Sequence, residues 1–342
     1  MSKRVLITGG AGFIAHHVID HLLRETDWEI VTLDRLDLSG NLNRLGHLLS
    51  DAPQETRKRV KIVYHDLKAE VSPLTRNMIG RIDYVYHLAA GSHVDRSITH
   101  PLEFVMDNVV GTCNILEFAR TLDSLELFIN FSTDEVFGPA PDGVFYHELD
   151  RYNSSNPYSA TKAGAEELCV AWQNTYKMPI YITHTMNVFG ERQHPEKYIP
   201  MCIRRVHDGE SISIHSDSTK TIPGSRHYIH AKDVAEGLLF VTRLKDFKMP
   251  DDFGGAHCPK FNLVGKEEVN NLEVAQIIAD AQGKPLKYDM VDFHSARPGH
   301  DLRYALSGDY MRELGWEPRV SLRERLEEVV HWTLNNDTWL RI

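Results

Sequence analysis

The sequence predicts an α/β protein: a doubly wound parallel sheet with a smaller C-terminal mixed α/β part that binds substrate. Three observations predict it. Short apolar runs alternate with stretches of helical periodicity from residue 4 to residue 185, and strand-helix alternation implies a parallel sheet covered on both faces. A glycine turn, Gly9-Gly-Ala-Gly12, joins the first apolar run to the first helical stretch. After about residue 190 the alternation breaks into shorter elements rich in His, Pro and Gly.

The elements follow in order. Val5-Leu-Ile7 is a short buried-type strand, and the helix after the glycine turn has Ile14, Val18, Leu22 and Leu23 at helical spacing. Further strands are predicted at 29–33, 60–64, 83–88, 125–131 and 180–185. Residues 1–185 are thus assigned to the main domain, to which 228–250, with a helix over 231–245, returns. Residues 186–227 and 251–342 form the smaller part, which contains the irregular stretches 190–197 and 216–225 and a helix over 322–330.

Composition narrows the class. With 342 residues and 42% hydrophobic content the chain buries a large core, as two domains or one elaborated domain. A net charge of -10 argues against a nucleic-acid surface, so an anionic ligand needs local basic residues. The N-terminal residues lack the apolar stretch of a signal peptide, and no apolar run is long enough to span a bilayer. Cys113, Cys169, Cys202 and Cys258 form no Cys-x-x-Cys pair, which reads as reduced thiols in a cytoplasmic protein. His17 and His21 stand four apart on the first helix without a third ligand, so solvent-facing histidines and no metal are expected.

Gly9, Gly12 and Ala15 form a G-x-x-G-x-x-A run between strand and helix. Glycine there lets a pyrophosphate approach the backbone, and the helix N-terminus offers it N–H groups and a positive dipole end. Asp34 follows at the end of the second strand, where a carboxylate binds ribose hydroxyls and repels a 2′-phosphate, favouring NAD over NADP in a Rossmann-type site. Arg35 beside it pulls the other way, since an arginine accommodates that phosphate. Asp66 is either an adenine contact or an ordinary loop aspartate.

Tyr-x-x-x-Lys occurs three times, at Tyr64/Lys68, Tyr158/Lys162 and Tyr228/Lys232. Only Tyr158 follows a proline able to start a helix with Tyr158 and Lys162 on one face, downstream of Ser132-Thr133 at a strand end. The Lys162 ammonium is expected to favour phenolate at Tyr158, making it a base for a substrate hydroxyl, with Thr133 bonding the same oxygen. Asp134 and Glu135 follow directly, and adjacent carboxyls pushed apart in pKa serve as one acid and one base.

Thr-Gly-Gly-Ala-Gly-Phe-Ile (8–14), His-Leu-Ala-Ala (87–90), Ser-His-Val-Asp-Arg-Ser (92–97), Ser-Thr-Asp-Glu-Val-Phe-Gly (132–138), Ser-Asn-Pro-Tyr-Ser-Ala-Thr-Lys (155–162), Pro-Glu-Lys-Tyr-Ile-Pro (195–200) and Arg-Pro-Gly-His-Asp (297–301) together resemble the extended short-chain dehydrogenase/reductases. Within that family they are most similar to the dTDP-glucose 4,6-dehydratases. The resemblance implies an NAD-dependent hydro-lyase of deoxysugar biosynthesis. In its redox-neutral cycle Tyr158 deprotonates the C4 hydroxyl, Glu135 removes the C5 proton, Asp134 protonates the departing C6 hydroxyl, and hydride goes to NAD and returns to C6. It further implies a cofactor site of Phe13, Ile14, Asp34, Asp66, Leu67, Leu88, Ala89, Ala90, Tyr158 and Lys162. The nucleotide-sugar site it implies comprises Ser92, Thr133, Asn187, Lys197, Tyr198, Arg226, Asn262, Arg297 and His300, whose basic members suit a diphosphate.

The chain also departs from that pattern. Gly91 stands where those dehydratases usually have Glu, Asp107 where they have Thr beside the nicotinamide region, Val188 where a second Asn follows Asn187, and Ala15 at the third glycine. Both dTDP-glucose and UDP-glucose types of substrate remain open, as does a 5,6-dehydratase on UDP-N-acetylglucosamine that stops at the alkene. A 4-epimerase has no need of the Asp134-Glu135 pair. GDP-mannose dehydratases and UDP-glucuronate decarboxylases usually show Ser-Glu there, and a non-catalytic NAD-binding protein has no reason to keep all five groups. The helices around 101–121 and 157–176 carry apolar residues beyond what a sheet face needs (Leu116, Phe118, Leu168, Val170, Trp172), from which a homodimer is expected.

Overall fold

The computed structural model describes every residue except 1, 38, 51, 245, 246, 248, 250–257, 293–302 and 342. Arg297 and His300 lie outside the described residues. Seven parallel strands form the main sheet: β1 (Arg4–Thr8), β2 (Glu29–Asp34), β3 (Val60–Tyr64), β4 (Tyr84–His87), β5 (Leu127–Thr133), β6 (Ile180–Thr185) and β7 (Lys260–Leu263), in the order β7-β6-β5-β4-β1-β2-β3. The order reverses between β1 and β4, and in such sheets the crevice beyond the strand C-termini at that reversal takes the ligand.

Except at the edge strand β3, where Ile62 and Tyr64 are exposed, both faces of the sheet are buried, which is why its strands read as near-continuous apolar runs. All seven residues of β5 and all six of β6 are buried. Side chains alternate between two cores: Val5 and Ile7 pack with the first helix, Phe13–Glu25, and the returning helix, Ala231–Arg243, whereas Leu6 and Phe128 face the helices Gly111–Ala119 and Pro157–Tyr176. A third core, around Ile203, Ile214, Ile278 and Leu326, holds the smaller part together.

Two expectations need correction. The sequence-based division ends the returning stretch at 250, but β7 at Lys260–Leu263 pairs in register with β6, and its four residues are buried. With Lys260 and Asn262 among its four residues, β7 lacks the apolar run that announces the other strands. Strands within 186–227 agree with the mixed α/β character expected of the smaller part: Ile212–Ser216 pairs in parallel with Tyr288–Asp292, and Ser225–His227 pairs antiparallel with Glu268–Asn270. Pairings this distant leave little local signal. Finally, Leu116 and Phe118 are buried within the protomer, and Leu168, Val170 and Trp172 pack against the same core, so this apolar excess is largely spent at home.

His17 is not solvent-facing either. It is buried, with Nε2 3.1 Å from the Glu191 carbonyl, and burial pushes its pKa down to about 3. Among the described residues no group of His, Cys, Asp and Glu is arranged to hold a metal, and no helix is long and apolar enough to cross a membrane. All four cysteines are free.

Candidate active site

β5 ends at Thr133, and the chain passes at once into a short 3-10 turn, Asp134–Phe137, whose first N–H groups need acceptors. Thr133 supplies one, its hydroxyl accepting from the Glu135 N–H at 3.4 Å. The helix Pro157–Tyr176 opens on a capping box: the Asn156 side chain accepts from the Ser159 N–H at 2.9 Å, and Pro157 fills the first turn, where a missing N–H costs nothing. Tyr158 and Lys162 therefore sit one turn apart on the helix face that meets β5. The Tyr158 N–H is fixed by Ser97 Oγ at 3.1 Å.

The five expected groups converge, and most are deeply buried: Asp134 is 5% exposed, Thr133 8%, Tyr158 9% and Lys162 4%. Thr133 Oγ1 donates to Asp134 Oδ1 at 2.9 Å, and Asn156 Nδ2 donates to Glu135 Oε2 at 2.9 Å. Lys162 Nζ donates to the Phe131 carbonyl at 2.6 Å. The Tyr158 ring meets Phe104 edge-on, with centroids 6.4 Å apart.

Burial, and then the charge of Glu135, push the Asp134 carboxyl up to about 7; the Thr133 hydrogen bond and Arg226 oppose them. Asp134 is thereby a proton carrier at neutral pH. The phenol of Tyr158 departs from expectation. Burial, followed by Glu135 and Asp134, raises it well above its ordinary value, with the Thr133 hydrogen bond pulling it back. The Lys162 ammonium gives one of its three donors to a strand carbonyl, and burial lowers Lys162 itself to about 8 against the pull of Glu166. In this protein the dominant influences on the phenol are thus burial and the carboxylate pair.

Sequence reasoning missed Glu166, one turn beyond Lys162 and fully buried. It accepts from Ser132 Oγ and Tyr152 OH, and lies 3.1 Å from His184 Nε2 and 3.5 Å from Lys260 Nζ. Burial pushes its carboxyl up, but His184 and Lys260 outweigh that and hold it down at about 2. The available signal was a charged residue four places from Lys162 on a helix face turned to the sheet. Asn156 and Ser97, equally unflagged, hold Glu135 and Tyr158.

The cofactor end fits a dinucleotide. Gly9 has φ +70°, and a Cβ there would come within 2.9 Å of the Ala89 backbone, so only glycine lets the loops after β1 and β4 approach this closely. Gly12 caps the first helix without any side-chain hydrogen bond, and its first turn holds no acidic residue, leaving its N–H groups for a pyrophosphate. Asp34 is fixed at the end of β2, Oδ2 accepting from the Ala11 N–H at 2.9 Å and Oδ1 from the Leu36 N–H at 2.8 Å. Phe13, Ile14, Leu88, Ala89 and Ala90 are half-buried around this crevice and Leu67 is buried, while Asp66 anchors the next loop through the Lys68 N–H at 3.0 Å. The other two Tyr-x-x-x-Lys pairs play no such part: Tyr64 is exposed, and Lys232 pairs with Glu191 at 2.6 Å.

On the substrate side, Ser92 is exposed after β4, and Asn187 is exposed after β6 in a left-handed conformation with φ +28°. Lys197 is the N-cap of the helix Tyr198–Asp208, and Tyr198 OH donates to the Asn271 carbonyl at 2.6 Å. Arg226 stacks on Tyr304 at 4.8 Å and is close enough to Asp134 to lower its pKa. Asn262 stands apart from these. It is fully buried, its amide donating to the carbonyls of Tyr146 at 3.2 Å and Ser307 at 3.1 Å while its Oδ1 lies 3.0 Å from His184 Nδ1, so the structure makes it a support.

A family model described as GDP-mannose 4,6 dehydratase matches residues 6–329. The chain belongs to that family. This dehydratase is 37% identical to the low-salt glycan biosynthesis protein Agl12 of Haloferax volcanii over 97% of its own length and 99% of the relative's. It is 36% identical to the dTDP-glucose 4,6-dehydratase of Neisseria gonorrhoeae over 98% and 97% of the two chains. Among solved structures, that of DesIV, a dTDP-glucose 4,6-dehydratase from Streptomyces venezuelae with NAD and TYD bound, superposes with a TM-score of 0.81 at 32% identity, covering 98% of each chain. The dehydratase is accordingly an NAD-dependent hydro-lyase acting on a nucleotide sugar. The residues of its cofactor end fit that assignment.

Proposed function

We propose that the protein is a 4,6-dehydratase of a nucleoside-diphosphate hexose of the dTDP-glucose or UDP-glucose type, forming the 4-keto-6-deoxy sugar. One observation carries the reading: two adjacent carboxyls beside a buried Tyr–Thr pair, one of them, Asp134, held protonated up to about pH 7. Tyr158, with Thr133 bonded to it, accepts the C4 hydroxyl proton as a phenolate, a form that burial and the two carboxylates oppose. The ketone formed at C4 acidifies the C5 hydrogen, which Glu135 removes while Asp134 protonates the leaving C6 hydroxyl. Bound NAD supplies the hydride acceptor, and its nicotinamide a positive charge that favours the phenolate. Gly9, Gly12 and Asp34 hold the dinucleotide, and Arg226 and Lys197 meet the substrate diphosphate.

Incubation with dTDP-, UDP-, GDP- and CDP-hexoses without added reductant, followed by product mass, tests the reading. Loss of one water from dTDP-glucose or UDP-glucose, with deuterium at C4 transferred to C6, is expected. Unchanged mass with inverted C4 makes the enzyme an epimerase, and deuterium retained at C4 of an alkene makes it a 5,6-dehydratase.

A further inference from the structure

Two positions where the chain departs from the dTDP-glucose dehydratase pattern around the cofactor crevice, Gly91 and Asp107, stand against each other. A Cβ added to Gly91 would lie 3.2 Å from Asp107 Oδ2 and 3.2 Å from the Phe104 ring. The glutamate usual at 91 would be driven against the Asp107 carboxylate, so the small residue makes room for the acidic one. Asp107 belongs to a π-helical stretch, Val105–Val110, inserted before the helix Gly111–Ala119, and such insertions re-aim side chains at functional sites.

From there Asp107 reaches Arg35, the residue after Asp34, so its side chain turns to the end of the crevice where Asp34 stands rather than to the nicotinamide region where the sequence pattern put it. Arg35 Nη1 donates to Asp107 Oδ1 at 2.5 Å and Nη2 to Oδ2 at 3.0 Å, a two-pronged pair joining residues 72 positions apart. Arg35 Nε donates to Asp37 Oδ2 at 2.7 Å, and Asp66 Oδ1 lies 3.9 Å from Nη1. Lys68, the other cation at this spot, is 3.2 Å from Asp107 Oδ1. The Asp107 side chain is only 7% exposed, so the pair is shielded from solvent on the carboxylate side.

We propose that Asp107 is a specificity-determining residue for the cofactor: by clamping Arg35 it withholds from a 2′-phosphate the guanidinium that stands beside Asp34. Selection for NAD then has two parts. Asp34 repels the phosphate, and Asp107 occupies the cation that would otherwise attract it. Gly91 permits the clamp without taking part in it.

The test reads bound nucleotide. Holoprotein is incubated with excess NADP, desalted and denatured, and the released NAD and NADP are quantified by chromatography. The parent protein is expected to keep NAD. Asp107→Asn and Asp107→Thr break the two-pronged pair, leaving Arg35 held by Asp37 and the more distant Asp66, and raise the NADP share about tenfold to a hundredfold, the range of a hydrogen bond to a charged group. Adding Arg35→Ala to Asp107→Asn abolishes that gain. An unchanged NADP share in both single variants, or a gain that survives loss of Arg35, overturns the proposal. Should the Asp107 variants fail to fold, Gly91→Gln reads the same clamp: it fills the space against Asp107 with a neutral side chain, and an NADP share no different from the parent's again overturns it.

Discussion

At Asp134 a single burial event sets both chemistry and stability. Its carboxyl is raised from 3.8 to about 7, so the folded protein binds this proton more tightly than the unfolded chain does. The sign follows: this contribution is fully present below about pH 4 and is lost as pH rises through about 7. Asp134→Asn, neutral at every pH, is expected to melt above the parent protein at pH 8, by a smaller margin at pH 5, and level with it only below about pH 4. A melting gap that does not shrink on acidification counts against the assignment. The elimination step of the parent enzyme, followed by product mass, is expected to slow above about pH 7 as Asp134 ionises. Glu135→Gln should spare the reduction of bound NAD, seen as absorbance on mixing with substrate, while blocking loss of water; full dehydration by that variant removes Glu135 as the base. These carboxylates were legible in the sequence because they are adjacent to one another and follow a strand. Glu166 was not, since only the fold brings Ser132, Tyr152, His184 and Lys260 to it from four separate stretches.

Among the elements, the helix Pro157–Tyr176 ties folding to catalysis most directly. Asn156 ends the preceding loop, caps the helix through Ser159 and steadies Glu135. Asn156→Ala is expected to lose about 1 kcal/mol of stability from the cap alone, measured by denaturant unfolding. Because Glu135 loses its amide partner as well, kcat should fall more than KM rises; an unchanged kcat limits Asn156 to capping. The π-helical stretch has a comparable double use. Asp107 turns to Arg35, while the neighbouring Asn108 joins Gly91 to Thr161, 2.8 Å from the Gly91 N–H and 2.9 Å from the Thr161 hydroxyl. Sequence periodicity registers helix there and is blind to the extra residue per turn, which changes the direction of side chains without changing composition.

For the molecule as a whole, exposed apolar side chains occur in several places, among them Tyr64, Leu74 and Ile222, and three others stand close together in sequence on the helices that precede the π-helical stretch or at its start. Ile98 is 43% exposed, Leu102 72% and Val105 39%, close to the helix Pro157–Tyr176, whose last residue, Tyr176, is 47% exposed. We propose that a second copy covers this face, giving a homodimer through the 101–121 and 157–176 helices, although with different contacts from those the apolar count suggested. Leu102→Glu is expected to shift the sedimentation coefficient from dimer to monomer. A sedimentation profile unaffected by that change places any dimer elsewhere.

The sheet class, the glycine turn with its acidic partner, and the candidate Thr133–Asp134–Glu135 and Tyr158–Lys162 groups were legible along the chain, because each rests on spacing within a few residues or on strand-helix alternation. Tertiary structure alone decided the rest. It sent the Lys162 ammonium to the Phe131 carbonyl, raised Asp134 and Tyr158, drew Asn262 into the interior and set Asp107 against Arg35. The physical reason is the same in each case: desolvation and charge pairing depend on neighbours that are distant along the chain.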